Sequence, residues 1–480
     1  MSQDNPYAAS QTTVPGIPWI RTKLGVMMFL QLFIWGAWLP CSFGFFGNTG
    51  LNFTPGQQEA LNICFPIAAI IAMFGANQLV DRHFAAEKFL AFSQLIGGAA
   101  MVAFGLLARS YFEARAYAAA VVAGMQNMAA VVEAAPANFW LFFALMAIHC
   151  FFYVPTMSVT NTIAFANLRD PAKDFGPVRL WGTIGWIAAS WPFVFILTDW
   201  AKVPAFAASE SFKEWLGAAL GTPLTGHALN MGKSWAFIVA GGASLLLAAF
   251  SLALPHTPPK KIVSGDKQFA LLEALSFLKK PFIAVLFVVT WIDATVHDGF
   301  FYFAFGYLEK VGVPSNWIQP AMTIGQVAEI LTMAILGWVL KSFGWRATMI
   351  VGILGHAARF AVFAFVPEPW AVVSINIVHG ICYAFFFATL YIFVDAYFPK
   401  DARTSAQGLF NLLVFGLGPI SSRLVWSRVQ DAYTTGTGAE AVVDHAKIFM
   451  YPMSLGIIAA LLLLLFFHPP IKADDVEVSH

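Results

Sequence analysis

Apolar runs of about 20 residues, each closed by a charge, a proline or a glycine turn, recur along the whole chain. They lie at 24–46, 58–80, 87–108, 139–166, 179–199 and 234–254, and again at 282–305, 317–340, 346–366, 370–396, 404–427 and 447–468. A helix needs about 20 such residues to cross the hydrocarbon core, so the pattern predicts twelve crossings. Strands of a membrane barrel alternate in and out and do not produce uninterrupted runs. The expected fold is an all-α polytopic membrane protein with a six-helix bundle at 24–254 and a second at 282–468. Tails of 1–23 and 469–480 flank the bundles, and a loop of 255–281 joins them. In that loop Phe269, Leu272, Leu275 and Phe277 recur near helical spacing beside Lys267, Glu273, Lys279 and Lys280, which predicts an interfacial helix.

Composition sharpens this picture. Of 480 residues, 59% are hydrophobic and 11% charged, with a mean hydropathy of +0.70, which excludes a water-facing globular enzyme. A net charge of +1 gives no reason to expect a nucleic-acid partner. Cys41, Cys64, Cys150 and Cys382 fall inside apolar stretches without metal-type spacing and are expected as buried thiols. Residues 1–18 contain no Lys or Arg and so lack the basic start of a signal peptide; the first span is expected to be retained. On the twelve-span map 17 of the 27 Lys and Arg residues fall on the side of the two termini, which puts both termini in the cytoplasm, at the inner membrane of a cell.

The two groups of spans echo each other. Asp81 and Arg82 follow the second span as Lys341, Gly344 and Arg346 follow the eighth. Asp170 and Pro171 precede Arg179 as Pro399 and Asp401 precede Arg403, each Arg opening the next helix. Six-plus-six symmetry about a long loop is how many secondary transporters are built, with the solute held at mid-membrane. The segments 109–138 and 199–233 are expected as caps on the outer face, the second carrying a helix-start box at Ser211 and Glu214.

A charge at mid-membrane costs ~2.5 kcal/mol or more on insertion scales, so each one needs a partner or a task. The candidates are His149, Arg179, Asp293, His297, Asp298, Glu329, His356, Arg359, His379 and Asp395. Glu329 sits midway along the eighth span with Gln326 one turn before it on the same face. Either both point into one polar cavity, or Glu329 pairs with an Arg to hold two helices together. Arg179, Thr183 and Trp186 fall at i, i+4 and i+7 of the fifth span. A cation, a hydroxyl and an indole on one stripe suit a planar polar ligand, although an Arg at a helix end also snorkels. Trp35, Trp38, Phe300, Phe301 and Tyr302 offer stacking faces. One helix carrying Asp293, His297 and Asp298 cannot close a metal coordination sphere, and no metal is expected; a proton path or hydrogen bonds to solute fit better. His149 and His379 are expected as helix-to-helix hydrogen bonds, and Asp395 as a loop anchor.

Enzyme motifs are missing. Gly226 and Gly232-Lys233-Ser234 imitate a phosphate loop, but five residues intervene where four are required. There is no HExxH pair and no Gly-x-Ser-x-Gly elbow. The chain is expected to be no enzyme and to need no cofactor, its energy coming from a gradient.

Seven collinear blocks carry a resemblance: Phe29 to Trp38, Tyr153 to Thr162, Arg179-Leu-Trp-Gly-Thr-Ile-Gly185, Leu254-Pro-His-Thr-Pro258, the Gln326 to Glu329 pair, Arg359 to Phe363 and Ser405-Ala-Gln-Gly-Leu-Phe410. Together they resemble the bacterial nucleoside:proton symporter family of the major facilitator superfamily. The resemblance implies two six-helix bundles, a nucleoside substrate and uptake driven by protons. It carries over Arg179, Thr183, Gln326 and Glu329 as lining the nucleoside site, with Trp186 where the family has Phe. The run from His379 to Phe387 is similar to a family segment in which Asp follows the aromatic; here Ala384 follows Tyr383. Asp298 is the candidate to replace that acid.

The expected substrate-binding set is thus Gln31, Trp35, Arg179, Thr183, Trp186, Asp298, Phe301, Gln326, Glu329, His379 and Tyr383, with Glu329 and Asp298 as proton carriers. The partners implied are a nucleoside, protons and the lipid bilayer, for a chain acting as a monomer. Two other readings stay open: a carrier of another polyol or sugar-like solute, and a transporter-like membrane sensor or scaffold without coupled transport.

Overall fold

The computed structural model describes residues 19–47, 50–73, 83–124, 136–259, 275–399, 403–436 and 441–470. Residues 1–18 and 471–480, the Asp81-Arg82 turn and most of the expected interfacial helix lie outside these residues; of that helix only 275–280 are described, including the 3-10 turn Phe277–Lys279. The main helices are α1 (Ile20–Phe45), α2 (Pro55–Ile71), α3 (Ala86–Gly124), α4 (Phe139–Asn167), α5 (Pro171–Ser190), α6 (Trp235–Ser251), α7 (Pro281–Lys310), α8 (Ile324–Phe365), α9 (Pro369–Tyr397), α10 (Ala406–Ala432) and α11 (His445–Phe466). Nine described segments are long and apolar enough to cross a membrane.

Local chemistry sets the helix ends. At α2, Thr54 accepts from the Gln57 amide while the Gln57 side chain accepts from the Thr54 amide, with Pro55 at the first helical position. Asn138 and Asp170 cap α4 and α5. Because α5 starts at Pro171, Arg179 does not open the fifth span as expected but lies more than two turns inside it, which removes the reason for it to snorkel at a helix end. A straight α8 of 42 residues would be about 63 Å long, twice a bilayer core. It breaks at Gly344 (φ 73°, ψ 174°), a backbone conformation that requires glycine, inside the break expected between 340 and 346. On the outer segment Ser211 accepts from the Glu214 amide at 3.2 Å to start Phe212–Gly221, and Glu214 turns back to accept from the Glu210 amide. The first outer segment differs from expectation, since α3 continues beyond Arg109 to Gly124.

Packing repeats between the halves. In the N-terminal half α1 packs on α5, α2 on α4 and α3 on α6; in the C-terminal half α7 packs on α10, and α8 on α9 and α11. Close crossings use small residues. A Cβ at Gly185 of α5 would collide with the backbone carbonyl of Phe29 on α1, and one at Gly380 of α9 with the backbone of Ala328 and Glu329 on α8.

Contacts between the halves are unevenly placed. Asn316 donates to the carbonyls of Val194 (3.3 Å) and Leu220 (3.1 Å), Trp317 to Leu220 (2.9 Å) and Ser315 to Leu224 (3.0 Å). Lys233 pairs with Glu309 at 3.6 Å, and Ser427 donates to Glu59. Every hydrogen bond and ion pair seen between described residues of the two halves lies at this end, away from Ile20 and Phe466.

Gly185→Val and Gly380→Val should each lower the thermal midpoint in detergent by the equivalent of about 1–3 kcal/mol. Gly242→Ala, where an added Cβ meets nothing within 4 Å, should leave it unchanged.

Candidate functional site

The N-terminal wall of the site is built on α5 and α1. Arg179, Thr183 and Trp186 are half-buried, while Leu180 and Trp181 beside them are 39% and 50% exposed, so the stripe read from the spacing turns inward. Trp35 stacks on Phe65 with ring centroids 5.0 Å apart and meets Trp186 edge-on at 5.1 Å. Trp186 in turn reaches Phe301 of α7 at 6.3 Å. Trp35, Trp186 and Phe301 thus come together as an aromatic lining across the two halves.

Gln31 does not join this lining. It is buried, donating to Thr156 (2.9 Å) and accepting from Gln94 (3.0 Å), and Gln94 accepts in turn from Ser244. Its amide is consumed by a network tying α1, α3, α4 and α6 together, which corrects its expected role as a solute contact.

The opposite wall is α8. Gln326 is buried with its side-chain oxygen unpartnered, and Glu329, one turn on, is half-buried with its backbone pressed against Gly380. Among the described residues no side chain or amide bonds the Glu329 carboxylate, and no ion pair within 4 Å reaches it. Arg179 stands within electrostatic reach of Glu329, and Tyr383 within reach of both. Of the two readings of Glu329, the helix-holding ion pair is therefore the one the geometry disfavours. Tyr383 opens a π-helical segment, Tyr383–Ala388, a distortion common at functional sites because it re-aims side chains. A cation from α5, an acid from α8 and a phenol from α9 thus come near one another, with Thr183 one turn after Arg179 and Gln326 one turn before Glu329 on the same helices.

Other candidates sit elsewhere. Asp298, expected as a second proton carrier, is committed to a two-pronged ion pair with Arg423 of α10, whose guanidinium lies 4.5 Å from the Phe43 ring centroid. Sequence reasoning passed over Arg423 because it lies near the end of its span; its place before the buried Trp426 was the available signal. His379 makes no helix-to-helix hydrogen bond through Nδ1, contrary to expectation, and stacks on His297 at 5.0 Å. His149 does make one, from Nδ1 to the Gly97 carbonyl at 3.0 Å, and Asp395 anchors Arg403. Trp38 and Phe300 are buried and offer no free stacking face. Ala384 is buried against Leu336 and Val339, so an acid at 384 would enter an apolar nest. All four cysteines are buried and free. Among the described residues no group of three or more His, Cys, Asp or Glu could hold a metal ion.

Comparison with known proteins gives a consistent result. The nucleoside H+ symporter family matches residues 19–108, 99–233 and 215–472. The putative nucleoside transporter YegT of Escherichia coli is 30% identical over 406 residues, covering 83% of this chain and 81% of its own. Nucleoside permease NupG of the same organism is 25% identical, and xanthosine permease 24%, each covering 96% of this chain and 100% of the relative. The crystal structure of a mutant of NupG overlays with a TM-score of 0.73 at 22% identity, over 94% of this chain and 100% of that one. A bacterial homologue of the lysosomal transporter Spinster overlays at 0.64 and 15% identity, over 96% and 97%. Helical architecture, transporter-like fold and matched length agree, and the chain belongs to the nucleoside H+ symporter family.

Proposed function

We propose that this chain imports nucleosides together with protons by alternating access, as a twelve-crossing monomer with two six-helix halves and both termini in the cytoplasm. To the nine qualifying segments, α2 and α5 add two crossings, and the Gly344 break splits α8 into a further two in place of one. The excess of Lys and Arg on the side of the termini supports the orientation. On this orientation the end at which the halves are bonded, away from the termini, is the outer one, so the described contacts hold the outer end shut.

The observation that carries the proposal is the set of unspent polar groups, Arg179, Thr183, Gln326 and Glu329, walled by Trp35, Trp186 and Phe301. A nucleoside joins a flat ring to a polyhydroxylated sugar. The indoles take the base, while the Glu329 carboxylate and the Gln326 amide take ribose hydroxyls that would otherwise lose their water unpaired. Ionised, Glu329 balances Arg179 across the gap between the halves. Protonated, it leaves that cation uncompensated, so the two access states gain different stabilities and the proton biases the equilibrium between them.

Glu329→Gln should fold and insert normally yet lose concentrative uridine uptake by roughly 10- to 100-fold, the equivalent of one charged hydrogen bond of about 1.5–3 kcal/mol. Normal accumulation would overturn the proposal, and labelled sugar uptake insensitive to excess uridine would favour a sugar carrier. Removing the outer latch with Lys233→Ala and Asn316→Ala together should raise labelling of a cysteine reporter at Thr183 by an impermeant maleimide several-fold. Unchanged labelling would show that these contacts do not hold the outer end shut.

A further inference from the structure

Behind the proposed solute space, α7, α8 and α9 bury ionisable side chains that substrate binding does not use. Asp293 of α7 is fully buried and neither carboxylate oxygen has a hydrogen-bond partner; the Nε2 atom of His356 on α8 lies 3.7 Å from Oδ2. Arg359, nearly one turn beyond His356, is also fully buried. Its guanidinium lies 4.2 Å from the Phe300 ring centroid and reaches the Cys382 sulfur at 3.9 Å, while Nε and Nη1 remain unpartnered. His297, one turn after Asp293, meets His356 edge-on at 5.3 Å and stacks on His379 of α9 at 5.0 Å. His379 meets Phe301 at 5.8 Å, and Phe301 meets Trp186 of the site. An unbroken file of rings therefore runs from the aromatic lining to Asp293.

A structural role fits this cluster poorly. The buried polar network of the N-terminal half, Gln31, Gln94, Thr156 and Ser244, is bonded within itself, whereas isolated neutral groups such as Gln319 and Asn376 are buried without a partner; what sets the Asp293 cluster apart is that its idle groups are ionisable. Here an acid, a guanidinium and the imidazoles of His356 and His379 are buried, with His297 half-buried beside them, and most of their polar atoms are idle, which is costly unless a proton or water uses them. The other elements packed on this region do not supply the missing partners: α10 brings Gly418 against Ala294, α11 brings Gly456 against Ala357, and Arg423 of α10 is taken by Asp298.

We propose that Asp293 is a second protonation site of the transport cycle, with Arg359 as its counter-charge and His356, His297 and His379 as the imidazole file connecting it to the solute space. With Asp293 ionised and the imidazoles neutral, acid and guanidinium cancel. A proton from water in the solute space binds one ring nitrogen of His379; the transfers from His379 to His297 and from His297 to His356 each break one N–H bond and form the next once the rings, which now meet by faces and edges without an N–H···N bond, turn their nitrogens toward each other. In the last step an N–H bond of His356 breaks and an O–H bond of Asp293 forms, after the 3.7 Å gap shortens. The cluster then carries one uncompensated positive charge on Arg359, which is relieved when the proton returns to the space after it has opened to the other side. Each step moves one proton and no electrons.

This proposal rests on the symport reading, so the experiment separates the two. Purified protein in liposomes is assayed for uridine counterflow without a gradient and for accumulation driven by an imposed pH gradient. Asp293→Asn should keep counterflow within about twofold of wild type, lose at least tenfold of the gradient-driven accumulation, and lose the uridine-dependent proton influx reported by a trapped pH dye. Full accumulation with wild-type proton influx in this variant overturns the role of Asp293. If Asp293→Asn does not fold, His356→Gln carries the test: retained counterflow with reduced gradient-driven accumulation supports the file, and unchanged accumulation overturns it. Wild-type liposomes showing counterflow but no response to the pH gradient would sink the symport reading itself.

Discussion

Hydrocarbon leaves no polar group indifferent. A carboxylate, amide or guanidinium at bilayer depth must be bonded to protein, be reached by water, or impose a cost that the fold makes good elsewhere. Several of the polar side chains at bilayer depth can be sorted by that constraint. Gln31, Gln94, Thr156 and Ser244 satisfy one another and pin four helices of the N-terminal half. Asp298 and Arg423 satisfy each other between α7 and α10. The Gln326 side-chain oxygen has no partner, no described side chain bonds the Glu329 carboxylate, and Arg179 and Glu329 approach each other from α5 and α8.

That division depends on backbone placement. Gly185 lets α5 lie directly on α1, which fixes the depth of Arg179, Thr183 and Trp186. Gly380 lets α9 lie on the peptide of Glu329 itself, so the acid is held by its own main chain while its carboxylate stays free. A side chain held this way can change protonation state or partner without reorganising the helix that carries it. The contacts at the end away from the termini, built from Asn316, Trp317, Lys233 and Glu309, join the segment between α5 and α6 in one half to the end of α7 and the loop after it in the other. Contacts that join the two halves at one end only are the kind that alternating access has to make in one conformation and break in the other.

Much of this was legible in the sequence, for identifiable reasons. Apolar runs announce membrane helices because the bilayer demands length and composition together. Spacing along one helix puts Arg179, Thr183 and Trp186 on one stripe, all half-buried in the structure, and Gln326 one turn before Glu329, since a helical period is a local property. What one helix cannot reveal is the partner supplied by another. Gln31 read as a solute contact, yet Gln94, 63 residues away, consumes it. Asp298 read as free, yet Arg423 from 125 residues on claims it. The start of α5 was placed eight residues late because Pro171 and the charges after it resemble a loop, although Asp-Pro is also a helix-start signal. Asp293, His356 and Arg359 were each recognisable as costly, but their convergence is a tertiary fact.

The central claim is that the acid facing Arg179 exchanges its proton in step with the solute. Calorimetric titration of uridine into the purified protein, repeated in buffers of different ionisation enthalpy at one mildly alkaline pH, counts the protons taken up per nucleoside bound. The account predicts a net proton exchange on binding, seen as a heat that changes with the buffer, that is lost in the Glu329→Gln protein. Tight binding with the same heat in every buffer, and therefore no proton exchanged, would contradict it.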